Sequence, residues 1–290
     1  MTGRVTTGLD WLDEMLGGGL LPGTLCLVHG ATGIGKTHLG LHFAHAGRAA
    51  EGREGLLLDM VSRGDSQSHL DYARRMFGWE PAVQPVPISG DGFWEAGRRW
   101  EYLHAFDYTG RPVERGAVSQ EEWRAWNLQL QEKIRQAAAF CYHGFVRGSR
   151  RVVVDGIEPA ANPADSIQHR LFEYLYHQVL HRQHDWLARE VFREHFLANR
   201  ERVMACPYDH QAVTTMFLQT THEVGIDEML LRPLPDSGLE ANANTVIMLG
   251  KRVQGGAVTR HLHVAKHRGS ACSTEVAQFA ITAKGLVREG

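Results

Sequence analysis

Cysteine is scarce in this chain: Cys26, Cys141, Cys206 and Cys272 are the four in 290 residues, far apart and never in a C-x-x-C pair. That excludes a disulfide framework and thiolate metal knuckles, and the four read as reduced, mostly buried thiols of a cytoplasmic protein. An excess of charge of one sign is also missing. The 31 Lys and Arg offset 33 Asp and Glu, leaving a net −2, so no global basic field favours nucleic acid or an anionic membrane. Basic runs such as Arg147 to Arg151 are too short to change this. No stretch approaches the roughly 18 uninterrupted apolar residues of a spanning helix. Asp10, Asp13 and Glu14 interrupt the N-terminal region before an apolar signal core can form. The expectation is a soluble, intracellular chain without membrane insertion. With no internal repeat, low-complexity tract or clear linker, one domain over residues 1–290 is expected, of α/β class.

What the sequence does contain is concentrated at residues 30–37, Gly30-Ala31-Thr32-Gly33-Ile34-Gly35-Lys36-Thr37, a complete G-x-x-x-x-G-K-[ST] phosphate-binding loop. Thr24 to His29 before it is short, apolar and β-rich. After it, Leu39, Phe43 and Ala46 recur at helical spacing up to Gly47, read as a C-cap. Glycines let backbone N–H groups curl around a phosphate, and the helix start adds its positive dipole end. Lys36 is placed to reach β- and γ-phosphates, and the Thr37 hydroxyl to ligate Mg²⁺.

Upstream, residues 7–23 predict a short amphipathic helix ended by Gly17-Gly18-Gly19, then a turn at Pro22-Gly23. Gly55 to Val61 reads as a buried strand, and a helix is predicted from about Gln67 to Phe77. Strand, helix and strand in succession, with continuously apolar strands, argue for a parallel sheet covered on both faces. Phe93, Trp94, Trp100, Leu103 and Phe106 suggest one aromatic helix, ended by a Thr109-Gly110-Arg111-Pro112 turn. Ser119 to Glu122 is a capping box, opening a helix whose stripe of Trp123, Trp126, Leu130, Ile134 and Cys141 is read as core. Arg151 to Asp155 is an apolar strand ending in an acid, and Pro163 to about Cys206 a long helical stretch broken near His184-Asp185. His177, His181 and His184 have metal-compatible spacing but are read as a polar helix face. From Ala212 the chain is β-rich. Val213 to Leu218 is followed by Gln219, Thr245 to Leu249 and Thr259 to Val264 form a hairpin about Gln254-Gly255-Gly256, and Val276 to Thr282 is a last strand before a Lys284-Gly285 turn.

Four of these regions together resemble the KaiC-like branch of the RecA-superfamily ATPases. They are Thr7 to Gly23 ahead of the phosphate loop, Gly55 to Val61 with Phe77-Gly78-Trp79, Val152 to Asp155 as a Walker B strand, and Arg260 with Lys266-His267-Arg268-Gly269-Ser270 as a hairpin carrying K-x-R-G-S. The resemblance implies a RecA-like core with a mostly parallel sheet and a C-terminal β-hairpin. Residues about 89–148 and 175–210, for which the quoted motifs give no counterpart, are expected as helical insertions. It also implies ATP and Mg²⁺ as ligands. The nucleotide would be held by Gly30 to Thr37, with His38 directly after the loop and Gln219 as further candidate contacts. The metal would be held by Thr37 and Asp155. Lys36 would act on the phosphates, and Lys266 and Arg268 would reach the γ-phosphate of a neighbouring subunit, implying a homo-oligomer (a ring or hexamer) or a hetero-oligomer with a related chain.

One departure bears on turnover. Where the family carries a Glu pair that polarises the attacking water, this chain has Val61-Ser62. Asp59, Asp65 and Glu158 are the acids nearest in sequence, with Asp59 and Glu158 kept as weak candidate catalytic residues. The expected function is therefore an ATP-binding assembly or conformational switch with slow or absent hydrolysis. An active oligomeric ATPase driving a partner complex and a recombinase-like DNA-binding ATPase are the alternatives, the second disfavoured by the charge balance.

Overall fold

The computed structural model describes residues 3–61, 68–84, 92–95, 97–106, 113–160, 162–234 and 238–289. In chain order its elements are α1 (Asp10–Met15), β1 (Leu25–Gly30), α2 (Lys36–Glu51), β2 (Leu56–Asp59), α3 (His69–Phe77), β3 (Tyr102–His104), α4 (Gln120–Phe145), β4 (Arg151–Ile157), α5 (Ile167–Leu175), α6 (His184–Phe192), α7 (Phe196–Ala205), β5 (Thr214–Thr220), α8 (Ile226–Leu231), α9 (Gly238–Asn242), β6 (Thr245–Gln254), β7 (Ala257–His267), β8 (Val276–Thr282) and β9 (Gly285–Arg288). The strands form one sheet in the order β3-β2-β4-β5-β1-β6-β7-β8-β9. Pairing is parallel from β3 through β6 and antiparallel from β6 to β9.

Alternation along the central strands divides two cores, since successive side chains leave opposite faces. Leu25 and Leu27, Leu56 and Leu58, and Val152 and Val154 enter one, built with residues of α4, α5, α6 and α7. Cys26 and Val28, Leu57 and Val153 enter the other, beneath α1, α2 and α3. Burial on both faces is why these strands read as unbroken apolar runs.

The structure corrects several expectations. The aromatic segment is not a helix. Gly92–Trp94 is a 3₁₀ turn and Tyr102–His104 is the edge strand β3, paired in parallel with β2. Phe93, Trp100, Leu103 and Phe106 do reach the core, Phe93 from the turn, Leu103 from the strand, and Trp100 and Phe106 from the irregular backbone on either side of β3. The predicted turn at Thr109 to Pro112 lies outside the described residues, as do Ser62 and Asp65. Helix α2 runs past Gly47 to Glu51 and is capped by left-handed Gly52. Gly47 instead allows close approach, since a Cβ there would sit 2.5 Å from the Arg53 carbonyl oxygen. The stretch after Pro163 breaks twice, after a π turn at Tyr176–Leu180 and at Arg193, whose φ of 47° ends α6. The hairpin strands are longer than read, and β9 follows the Lys284-Gly285 turn.

Candidate nucleotide-binding site

The loop after β1 and the first turn of α2 form the floor of a cleft of about 330 Å³. It lies at the carboxyl ends of the parallel strands, where α/β sheets place their ligands. Gly35 precedes α2 with φ 120°, and a Cβ there would press on Ile281 of β8, so both backbone conformation and space demand glycine. The N–H groups of the first helical turn have no intrahelical partners and serve an anion. Lys36 is buried, with its ammonium donating to the carbonyls of Gly30 (2.8 Å) and Ala31 (3.0 Å). Burial lowers its pKa, and Asp155 partly offsets this.

Asp155, on β4, is brought to the loop although β5 lies between β4 and β1. The Thr37 hydroxyl donates to Asp155 Oδ2 at 2.6 Å, and the Gly156 N–H donates to Oδ1 at 2.7 Å. These hard oxygen donors, next to a lysine, fit Mg²⁺, which takes one or two protein ligands together with phosphate oxygens. His38 lines the cleft and packs at a tilt against Tyr72 of α3, with ring centroids 4.7 Å apart. Glu158 lines its far wall.

A histidine that no sequence motif marks joins these carboxylates. His69, in the first turn of α3, places Nε2 2.9 Å from Asp155 Oδ2 and Nδ1 3.2 Å from Asp59 Oδ2. Asp59 is 3% exposed. Its Oδ2 also accepts from Tyr102 at 2.6 Å, His104 Nδ1 lies 3.2 Å away, and its Oδ1 accepts from the Val61 N–H at 2.9 Å. Burial alone would lower the His69 pKa, but the flanking Asp59 and Asp155 raise it to about 10, so the ring is an imidazolium. Burial would raise both aspartates, yet the bonds and charge of His69 hold them below the usual carboxylate range. The available signal was positional. A capping box of Ser68 and Asp71 fixes the start of α3, and a helix following β2 begins over the same strand ends as the loop.

A family model, the KaiC ATPase, matches residues 5–181, more than half of the chain and the whole of the constellation from Lys36 to Asp155. The chain belongs to the KaiC ATPase family. A segment of 39 residues, 13% of this chain, is 51% identical to the DNA repair protein RadA of Mycobacterium tuberculosis in each of two strains. That segment spans 8% of RadA's own length.

Beyond residue 181 Thr220 and Ile281 of this KaiC-family chain line the cleft, and the remaining candidates do not themselves line it. Gln219 pairs in register with His29 between β5 and β1, and its Oε1 is buried without a hydrogen-bond partner among the described residues. Lys266 donates to the Glu240 (2.6 Å) and Ala241 (3.2 Å) carbonyls near the end of α9, as a cation at a helix C-terminus should. Arg268 is exposed at the turn after β7. Neither lines this chain's own cleft. His177, His181 and His184 do not converge. The first two flank the Tyr176 ring and the third bonds the Val203 carbonyl.

Proposed function

We propose that this chain binds Mg-ATP across Gly30 to Thr37 and uses it as an assembly or conformational switch, with slow or absent hydrolysis. Lys36 would hold phosphate oxygens once turned from its loop carbonyls, the α2 N–H groups would cradle them, and Thr37 and Asp155 would hold the metal. When bound, Mg²⁺ neutralises phosphate charge and fixes the orientation of the chain of phosphates.

The observation that carries slow turnover is the chemistry at the end of β2. Val61 presents an apolar side chain to the cleft where the family pattern has a water-polarising glutamate, and Asp59 has both oxygens engaged by Tyr102, His69 and the Val61 N–H. Glu158 is the other described acid among those nearest in sequence to the missing Glu pair, and it lines the cleft. Without a positioned base, a loss of about 10²–10⁴-fold is the scale expected, which puts turnover well below about 1 s⁻¹. The test is steady-state hydrolysis by the wild type, Val61→Glu and Glu158→Gln. The glutamate should raise the rate. A wild-type rate of several turnovers per second, abolished in Glu158→Gln, would overturn the switch in favour of an active ATPase.

Assembly is supported by Lys266 and Arg268, which sit outside this chain's own cleft, as groups acting on a neighbour's nucleotide must. Light scattering with ATP, with ADP and without nucleotide tests this, and a monomer in all three conditions refutes self-assembly. A DNA-binding role draws only on the short match to RadA and is opposed by the balanced charge.

A further inference from the structure

A second cleft, of about 210 Å³, lies at the opposite end of the sheet. Arg53 precedes β2, Arg98 and Arg99 precede β3, and Arg147 precedes β4, so three parallel neighbours bring four arginines together at their amino ends. Trp94 and Cys206 complete the wall. Arg147 to Arg151, a short basic run in the sequence, is divided by the fold. Arg151 turns inward to Glu51 and the Thr6 and Phe43 carbonyls, while Arg147 joins a second run, Arg98-Arg99, across the chain.

The charges of this cleft are poorly matched. Among the described residues Glu95 is the one carboxylate in its lining, and it is bonded by Arg98 at 3.0 Å. Arg99 lies 3.3 Å from Glu101, which is buried behind the wall and also accepts from Trp79 and the Ala82 N–H. Arg147 is anchored on the Phe93 and Glu95 carbonyls, and Arg53 is exposed. The crowding is felt nearby. Burial, then Arg147 and Arg98, hold His143 down at about 3. Guanidinium groups match phosphate oxygens in a planar fork, and several around one concavity call for a compact polyanion. The volume is below the 300–1,000 Å³ usual for larger ligands.

We propose that this cleft binds a small phosphoryl anion carrying two or more negative charges, at a site separate from the phosphate loop. Pyrophosphate is the probe, titrated calorimetrically into Lys36→Ala protein so that the phosphate loop contributes least, with inorganic phosphate and a single-stranded oligonucleotide as parallel arms. Pyrophosphate should bind one to one. Arg53→Gln and Arg98→Gln should each weaken it about tenfold or more, the scale of a lost charge-assisted hydrogen bond. Glu95→Gln, which removes the lining carboxylate, should tighten it and gives a readout even if an arginine variant folds poorly. Absence of pyrophosphate binding at millimolar concentration, binding indifferent to all three substitutions, or arginine-dependent binding of the oligonucleotide alone would overturn the proposal.

Discussion

Replacing His69 by Gln tests the charge arrangement at the centre of the site. The imidazolium lies between Asp59 and Asp155, at 3.2 and 2.9 Å. A neutral amide at this position removes the positive charge between two buried carboxylates and leaves Asp155 with Lys36 as its remaining cationic neighbour. Removing one partner of a buried ion pair costs about 3–5 kcal/mol, and at about 2–4 °C per kcal/mol for a chain of this size the melting temperature should fall by about 6–20 °C. The pH dependence has a definite sign. The His69 pKa is raised from 6.5 to about 10, so its contribution is fully present below pH 6.5 and is lost as pH rises through 10. The gap between wild type and variant should therefore be widest on the acid side of 6.5 and close toward pH 10. Adding Asp59→Asn removes one of the stranded carboxylates, so the double variant should melt above His69→Gln alone. Differential scanning calorimetry across pH reads all three effects. A fall of under about 3 °C, or no rescue by Asp59→Asn, would show that the ring is merely packed there.

Lys36→Ala should weaken ATP about 10- to 100-fold, the range for losing charge-assisted bonds to phosphate, and unchanged affinity by calorimetry would remove the site. Thr37→Val takes away both a metal donor and the bond to Asp155, so ATP binding should lose most of its dependence on Mg²⁺, measured with and without EDTA. His143 is stacked on Trp100 at 3.8 Å, with neither ring nitrogen hydrogen-bonded among the described residues, and its pKa is lowered from 6.5 to about 3. Stability tied to its neutral form is present above pH 6.5 and is lost toward pH 3, at up to about 1.4 kcal/mol per pH unit. His143→Phe keeps the stack and should flatten that acid limb in urea titrations.

The parallel half of the fold was legible because its strands are buried on both faces, and Leu25 to Val28 or Val152 to Val154 cannot be confused with anything exposed. Helix starts were legible where a side chain marks them, as at Ser119 and its Glu122 partner. The segment from Phe93 to Phe106 misled because aromatic spacing reports burial without reporting the element. Three residues, Tyr102–His104, suffice for an edge strand once β2 offers its free side, and so short a pattern has no period. Gly47 misled for a related reason. Glycine serves both a left-handed cap and a close approach, and only the neighbouring Arg53 carbonyl distinguishes them.

The candidate site divides along the same line. A phosphate loop is contiguous because one backbone turn has to wrap one phosphate, so its eight residues are visible in a row. Asp155 was found because it ends an apolar strand. His69, Tyr102 and His104 are bound to no motif, and they meet Asp59 only because β3 pairs with β2 and α3 begins above both. The same non-local logic gathers Arg53, Arg98, Arg99 and Arg147. A sheet with both cores covered still has two ends, and the loops entering β2, β3 and β4 place their charges at the end that the nucleotide does not use. Balanced net charge over the whole chain argues against a global field for a long polyanion such as DNA, and each end still has a local field fixed by which loops the strand order makes neighbours.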